Sequence, residues 1–118
     1  MDRDSSAIAA QVRALLETTD PRAPAAGQPG WARAMVGEME HVLVSGYACA
    51  LTLDGERLRL EERLHELALR VDGNLEQASE LVRVRRDLRS REGELDGLRT
   101  LLGELRSRVA ERRASIEP

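Results

Sequence analysis

Apolar residues recur at alternating steps of four and three along two long stretches of this chain, and that spacing constrains the fold more than any other feature. In the first stretch the positions are Ala32, Val36, Met39, Leu43, Gly46, Ala50, Leu53, Arg57, Leu60, Leu64, Leu67 and Val71. In the second they are Gln77, Leu81, Val84, Leu88, Arg91, Leu95, Leu98, Leu102, Leu105, Val109, Arg112 and Ile116. Such a repeat is the seam of helices packed side by side as a coiled coil. Asp72-Gly73-Asn74 separates the two stretches. Gly73 suits a left-handed helix terminus, and Asn74 with Gln77 has the form of a capping box.

The stretches are also mirror images of each other. If the chain reverses near Asn74, position n faces position 148 − n, and seam residues meet seam residues throughout. The layers are Leu67–Leu81, Leu64–Val84, Leu60–Leu88, Leu53–Leu95, Ala50–Leu98, Gly46–Leu102, Leu43–Leu105 and Met39–Val109. The same register brings Glu61 toward Arg85, Arg63 toward Asp87 and Arg70 toward Glu80. Each exposed pair contributes only tenths of a kcal/mol, but together they favour this alignment. The predicted fold is all-α: a long antiparallel helical hairpin over residues 31–116 with its turn at 72–74.

Ahead of the hairpin, Ile8, Val12, Leu15 and Leu16 mark a short amphipathic helix in residues 1–18, with Ser5 and Ser6 as expected caps. Residues 19–30 carry three prolines and two glycines and read as a linker. One competing reading concerns residues 41–55, where Ser45-Gly46 and Asp54-Gly55 are turn signals for two short strands. The heptad phase passes through them unbroken, and a lone pair of strands has no sheet to join. Helix is therefore predicted there.

The composition agrees. Only Trp31 and Tyr47 are aromatic, so a thick globular core is hard to build, while 33% of residues are charged. All 18 basic residues are arginine, a bias that a GC-rich genome produces without any functional cause. With a formal net charge of −3 the arginines are not a nucleic-acid signal. The arginine-rich run Arg83–Arg91 is expected to pair with the acidic stretch Glu56–Glu66 across the hairpin, and nucleic-acid binding is not expected. Cys49 is the single cysteine and cannot form an internal disulfide. The first residues lack the basic flank and apolar run of a secretion signal, and no stretch nears the roughly 18 apolar residues of a membrane span. A cytoplasmic location without membrane contact is expected.

One seam layer is polar. Arg57 faces Arg91, and two guanidinium groups need partners there. Asp54 and Glu92 flank them on one side, Glu56 and Glu94 on the other. The layer is expected to be a self-contained ionic cluster that fixes register. If its acids stay solvated, Arg91→Met should raise or hardly alter stability. The alternative is an anion pocket in which Arg57 and Arg91, beside Asp54 and Glu92, hold a small anionic ligand such as a nucleotide. Gly55 and Gly93, outward-facing at this level, would allow a local hinge or close backbone approach.

Toward the open end a second apolar stripe, Met35, Val42, Cys49 and Leu101 with Tyr47 nearby, lies beside the seam, and small Gly46 and Ala50 face large Leu102 and Leu98. A two-helix pair leaves that stripe wet. The expected cover is a second copy of the chain, giving a homodimeric four-helix bundle, with the first helix folded back as the other candidate.

Catalytic chemistry is not evident. Glu38-x-x-His41 and Glu62-x-x-His65 match the spacing of di-iron carboxylate bundles, but the heptad phase turns all four outward. Cys49 has no base or acid at catalytic spacing. There is no phosphate-binding glycine loop and no zinc-type spacing. No cofactor and no metal are expected. Helical hairpins serve as chaperones, adaptors and anti-sigma factors, and shape alone assigns none of these roles. The expected function is a non-enzymatic coiled-coil scaffold or adaptor that works as a homodimer and through another protein. The alternative is a regulator gated by an anionic ligand at the arginine layer.

Overall fold

The computed structural model describes residues 2–19, 29–70 and 73–116. Among these residues there are three helices and no strand: α1 (Asp2–Thr18), α2 (Pro29–Arg70) and α3 (Leu75–Ile116). Residues 41–55 lie inside α2, which rules out the two-strand alternative. Two interior glycines, Gly46 and Gly55, do not interrupt it. Packing of a repeated apolar face outweighs the roughly 1 kcal/mol that each glycine costs relative to alanine.

The helix boundaries follow from local chemistry. α2 begins at Pro29, two residues before the predicted start, because proline lacks only an N–H that a first helical turn cannot use. Most of the predicted linker lies outside the described residues, as do the seam residue Val71 and Asp72 of the predicted turn. Gly73 has φ +92°, a left-handed conformation that suits glycine. Asn74 then caps α3: the Glu76 backbone N–H donates to its Oδ1 at 2.9 Å, and the Ala78 N–H to its carbonyl at 3.1 Å. The expected caps Ser5 and Ser6 are instead inside α1, which starts at Asp2. The earlier start puts Ser5, Val12 and Thr19 on one face at steps of seven, and all three are buried.

The chain divides into two compact units. Unit 1 comprises residues 1–50 and 98–118, that is α1, the first part of α2 and the last part of α3. Its interior holds Val12, Val36, Met39, Val42, Leu43, Leu102, Leu105 and Val109, and Val12, Met39, Leu102 and Leu105 are fully buried. Unit 2 comprises residues 51–97, one segment each of α2 and α3. Here Leu53, Leu67, Val84, Leu88 and Leu95 are buried, while Leu60, Leu64 and Leu81 are half-buried. Within each unit the two long helices run antiparallel. In unit 1 Glu40 meets Arg113 and Gly46 meets Leu102; in unit 2 Glu56 meets Arg91 and Arg63 meets Glu80.

Three helices bury more than one stripe, and two helices bury only one. That difference decides where apolar surface remains in contact with water.

Candidate functional site

The polar layer is built entirely from the chain's own acids. Arg57 donates through Nε and Nη2 to Asp54 Oδ1, at 3.1 and 2.8 Å, and through Nη1 to Glu61 Oε1 at 2.5 Å. These partners, the Asp54 hydrogen bond first, push its already high pKa further up, so the group stays charged. Arg91 donates through Nη1 to Glu94 at 2.9 Å, and its Nε lies 2.8 Å from Glu56 Oε2. That last contact is an ion pair without hydrogen-bond alignment, and Glu56 Oε2 is otherwise a buried oxygen lacking a donor. Of the four candidate ligand-site residues, Arg57, Asp54 and Arg91 are engaged in this network. Glu92 is exposed and takes no part; Glu61 was not anticipated in it.

The flanking pairs also differ from those drawn on the sequence. Glu61 turns to Arg57, one helical turn away, rather than to Arg85. Arg63 reaches Glu80 at 2.5 Å and Glu66 at 3.6 Å rather than Asp87. Neighbours three and four residues apart on one helix compete with partners across the seam, and they need less chain ordering to meet. In the run Arg83–Arg91, only Arg91 pairs with the acidic stretch Glu56–Glu66. Arg83, Arg85, Arg86 and Arg89 are exposed and make no ion pair among the described residues. Their positions explain it, since Arg86 and Arg89 face away from the other helix.

The surface assigned from sequence to a second copy is largely internal. Val42, Gly46, Leu98 and Leu102 are buried, Met35, Cys49 and Leu101 are half-buried, and only Tyr47 is exposed. The cover belongs to unit 1 itself, and α1 supplies the extra helix. Two arginines of α3 hold its carboxyl end. Arg108 Nη1 donates to the Leu16 carbonyl at 3.1 Å and to Thr19 Oγ1 at 3.4 Å, while Arg112 Nη2 donates to the Thr19 carbonyl at 2.6 Å. Thr18 and Thr19 hydroxyls take the carbonyls of Ala14 and Leu15 at 2.8 and 2.6 Å. The Leu15, Leu16 and Thr19 carbonyls thereby gain donors, with positive charge at the negative end of the helix dipole. The sequence signal was Arg112 itself, a charged residue on the seam.

Exposed apolar surface is found elsewhere. In unit 1 Val44 and Tyr47 are exposed. In unit 2 Leu51, Leu58, Leu69, Leu75 and Val82 are exposed, Leu75 by 82%. Val44, Leu51 and Leu58 follow one another at steps of seven on the outer side of α2, a pattern present in the sequence but masked by the stronger seam.

Glu38, His41, Glu62 and His65 are exposed or surface-lying, and no group of three or more possible metal ligands occurs among the described residues. Cys49 is half-buried and forms no disulfide among the described residues. No helix among the described residues is long and apolar enough to cross a membrane. Compared with protein-family models, with curated proteins and with solved structures, the chain matches none.

Proposed function

We propose that this chain is a non-catalytic helical interaction module, a scaffold or adaptor that works as a homodimer and through contact with another protein. The observation that carries this reading is the exposed apolar set Leu51, Leu58, Leu69, Leu75 and Val82, concentrated in a unit with only two helices. Fully burying one such side chain contributes about 1.5–3 kcal/mol, so a partner that covers several gains a usable affinity.

The ligand-gated alternative is weaker. An anion entering between Arg57 and Arg91 has to displace Asp54, Glu61, Glu56 and Glu94, leaving those carboxylates without their cations.

The test uses the full chain as bait beside a Leu58→Ser/Val82→Ser variant of equal helicity. Proteins retained by the first and lost by the second support the reading. Identical retention by both, together with a monomeric mass at every concentration, overturns it.

A further inference from the structure

Unit 2 has two unlike sides. In an antiparallel helix pair, positions just beside the seam on one helix face their equivalents on the other, so one flank of each helix contributes to each side. Arg63 and Glu80 occupy one flank, and they bond across it. The opposite flank carries Glu61 and Ala68 on α2 and Ala78 and Arg85 on α3. Next to these, further out, come Leu58 and His65 on α2 and Leu75, Val82 and Arg89 on α3. This second side is where the apolar residues remain exposed, and where Arg85, Arg86 and Arg89 pair with no acid among the described residues.

Its charges are divided between the helices. The α2 edge is acidic, with Glu61 and exposed Glu62; the α3 edge at the same level is basic, with Arg85, Arg86 and Arg89. At the turn-proximal end Ala68 and Ala78 are small enough to let another helix approach, and Leu75 and Val82 stand beside them.

A surface with one acidic and one basic edge is complementary to itself under one two-fold operation only. If the axis runs along the helices, α2 of one copy lies over α3 of the other at the same level. Glu62 then meets Arg86 of the second copy, and Glu61 comes near Arg85. A two-fold axis across the helices instead sets α2 on α2 and brings like charges together. We infer that this face of unit 2 is the contact between two copies of the chain, with their helices in register and the turns at the same end. The inference rests on the homodimer reading and names its surface: the acidic stretch and the arginine run do pair, but between chains.

The experiment is a charge swap on the full chain, with mass read by light scattering and by sedimentation across a concentration series. The wild type is expected to dimerise. Glu62→Arg alone and Arg86→Glu alone should each weaken dimerisation about tenfold or more, since each places two like-charge contacts in the interface. An equimolar mixture of the two variants should recover a heterodimer of near wild-type affinity, because every contact is again between opposite charges. Val82→Glu should abolish dimerisation with helicity unchanged.

Dimers that ignore both charge reversals and Val82→Glu overturn this face while leaving the homodimer reading intact. A wild type that is monomeric at all concentrations overturns the homodimer reading itself. Monomers that bind acidic peptides or nucleic acid through Arg85, Arg86 and Arg89 overturn the second copy as the occupant.

Discussion

Leu102 occupies the space that a β-carbon on Gly46 would fill. Its Cδ2 lies well inside contact distance of that position, with Cγ and Cδ1 3.4 Å away, and the Leu102 side chain is fully buried. The layer that looks underfilled in sequence, glycine opposite leucine, is filled by the leucine itself. Gly46 is thus retained in a helix interior for packing rather than flexibility.

Gly46→Ala should accordingly destabilise the chain. Alanine recovers about 1 kcal/mol of helix propensity, but overpacking a closed layer costs about 1–3 kcal/mol, because the Leu102 side chain that has to shift is fully buried. A net loss of about 1 kcal/mol, a few degrees in Tm, is expected in thermal unfolding followed by circular dichroism. Leu102→Ala alone should cost about 2–5 kcal/mol, and the double variant less than the sum, since each change relieves the other. Gly55 and Gly93 are the controls. Nothing lies within 4 Å of a β-carbon at either, so alanine there should stabilise. Additive losses at Gly46 and Leu102 would mean that the two residues do not share a layer.

The mirrored seam was legible because it depends on spacing alone. Leu53, Leu88, Leu95 and Leu105 are buried where the repeat puts them, and Gly46 meets Leu102 as the reversal at Asn74 requires. The identity of each arginine's partner was not legible. Glu61 and Arg85 are compatible in register, yet Arg57 lies one turn from Glu61 and takes it. The cover over Val42 was ambiguous for a different reason: α1 and a second copy satisfy the same apolar stripe, and spacing cannot say which arrives. The contacts that dock α1, from Arg108 to the Leu16 carbonyl and from Arg112 to the Thr19 carbonyl, have a backbone acceptor that carries no sequence signal.

Arg91→Met offers a second prediction, one whose sign the burial of Glu56 reverses. Replacing the arginine would be nearly neutral if the surrounding acids were solvated. Glu56 Oε2 is buried, however, and Arg91 is the cation beside it. Removing Arg91 alone strands that oxygen, so Tm should fall by several degrees. Arg91→Met/Glu56→Leu removes both charges and fills the same space with apolar atoms, and its Tm should return to within about 2 °C of wild type or exceed it. Equal losses in the single and double variants would show that Glu56 is not the group left in need.

The third prediction concerns the docking of α1. Arg112→Met withdraws the donor to the Thr19 carbonyl, and Arg108→Met withdraws the donor shared by Leu16 and Thr19. A hydrogen bond from a charged group is worth about 1.5–3 kcal/mol. The double variant should therefore loosen α1 by several kcal/mol while leaving unit 2 unaffected, because none of its residues takes part. Amide hydrogen exchange reads this directly. The α1 amides, and that of Thr19, should exchange about a hundredfold to ten-thousandfold faster, by the usual relation of about 1.4 kcal/mol per decade. Exchange at Leu88 and Leu95 should not change. Loss of α1 would also uncover Val12, which is fully buried, so binding of a hydrophobic dye should rise. If protection of α1 stays at its wild-type level without both arginines, then apolar contact through Val12 alone holds the helix, and the guanidinium groups merely accompany it.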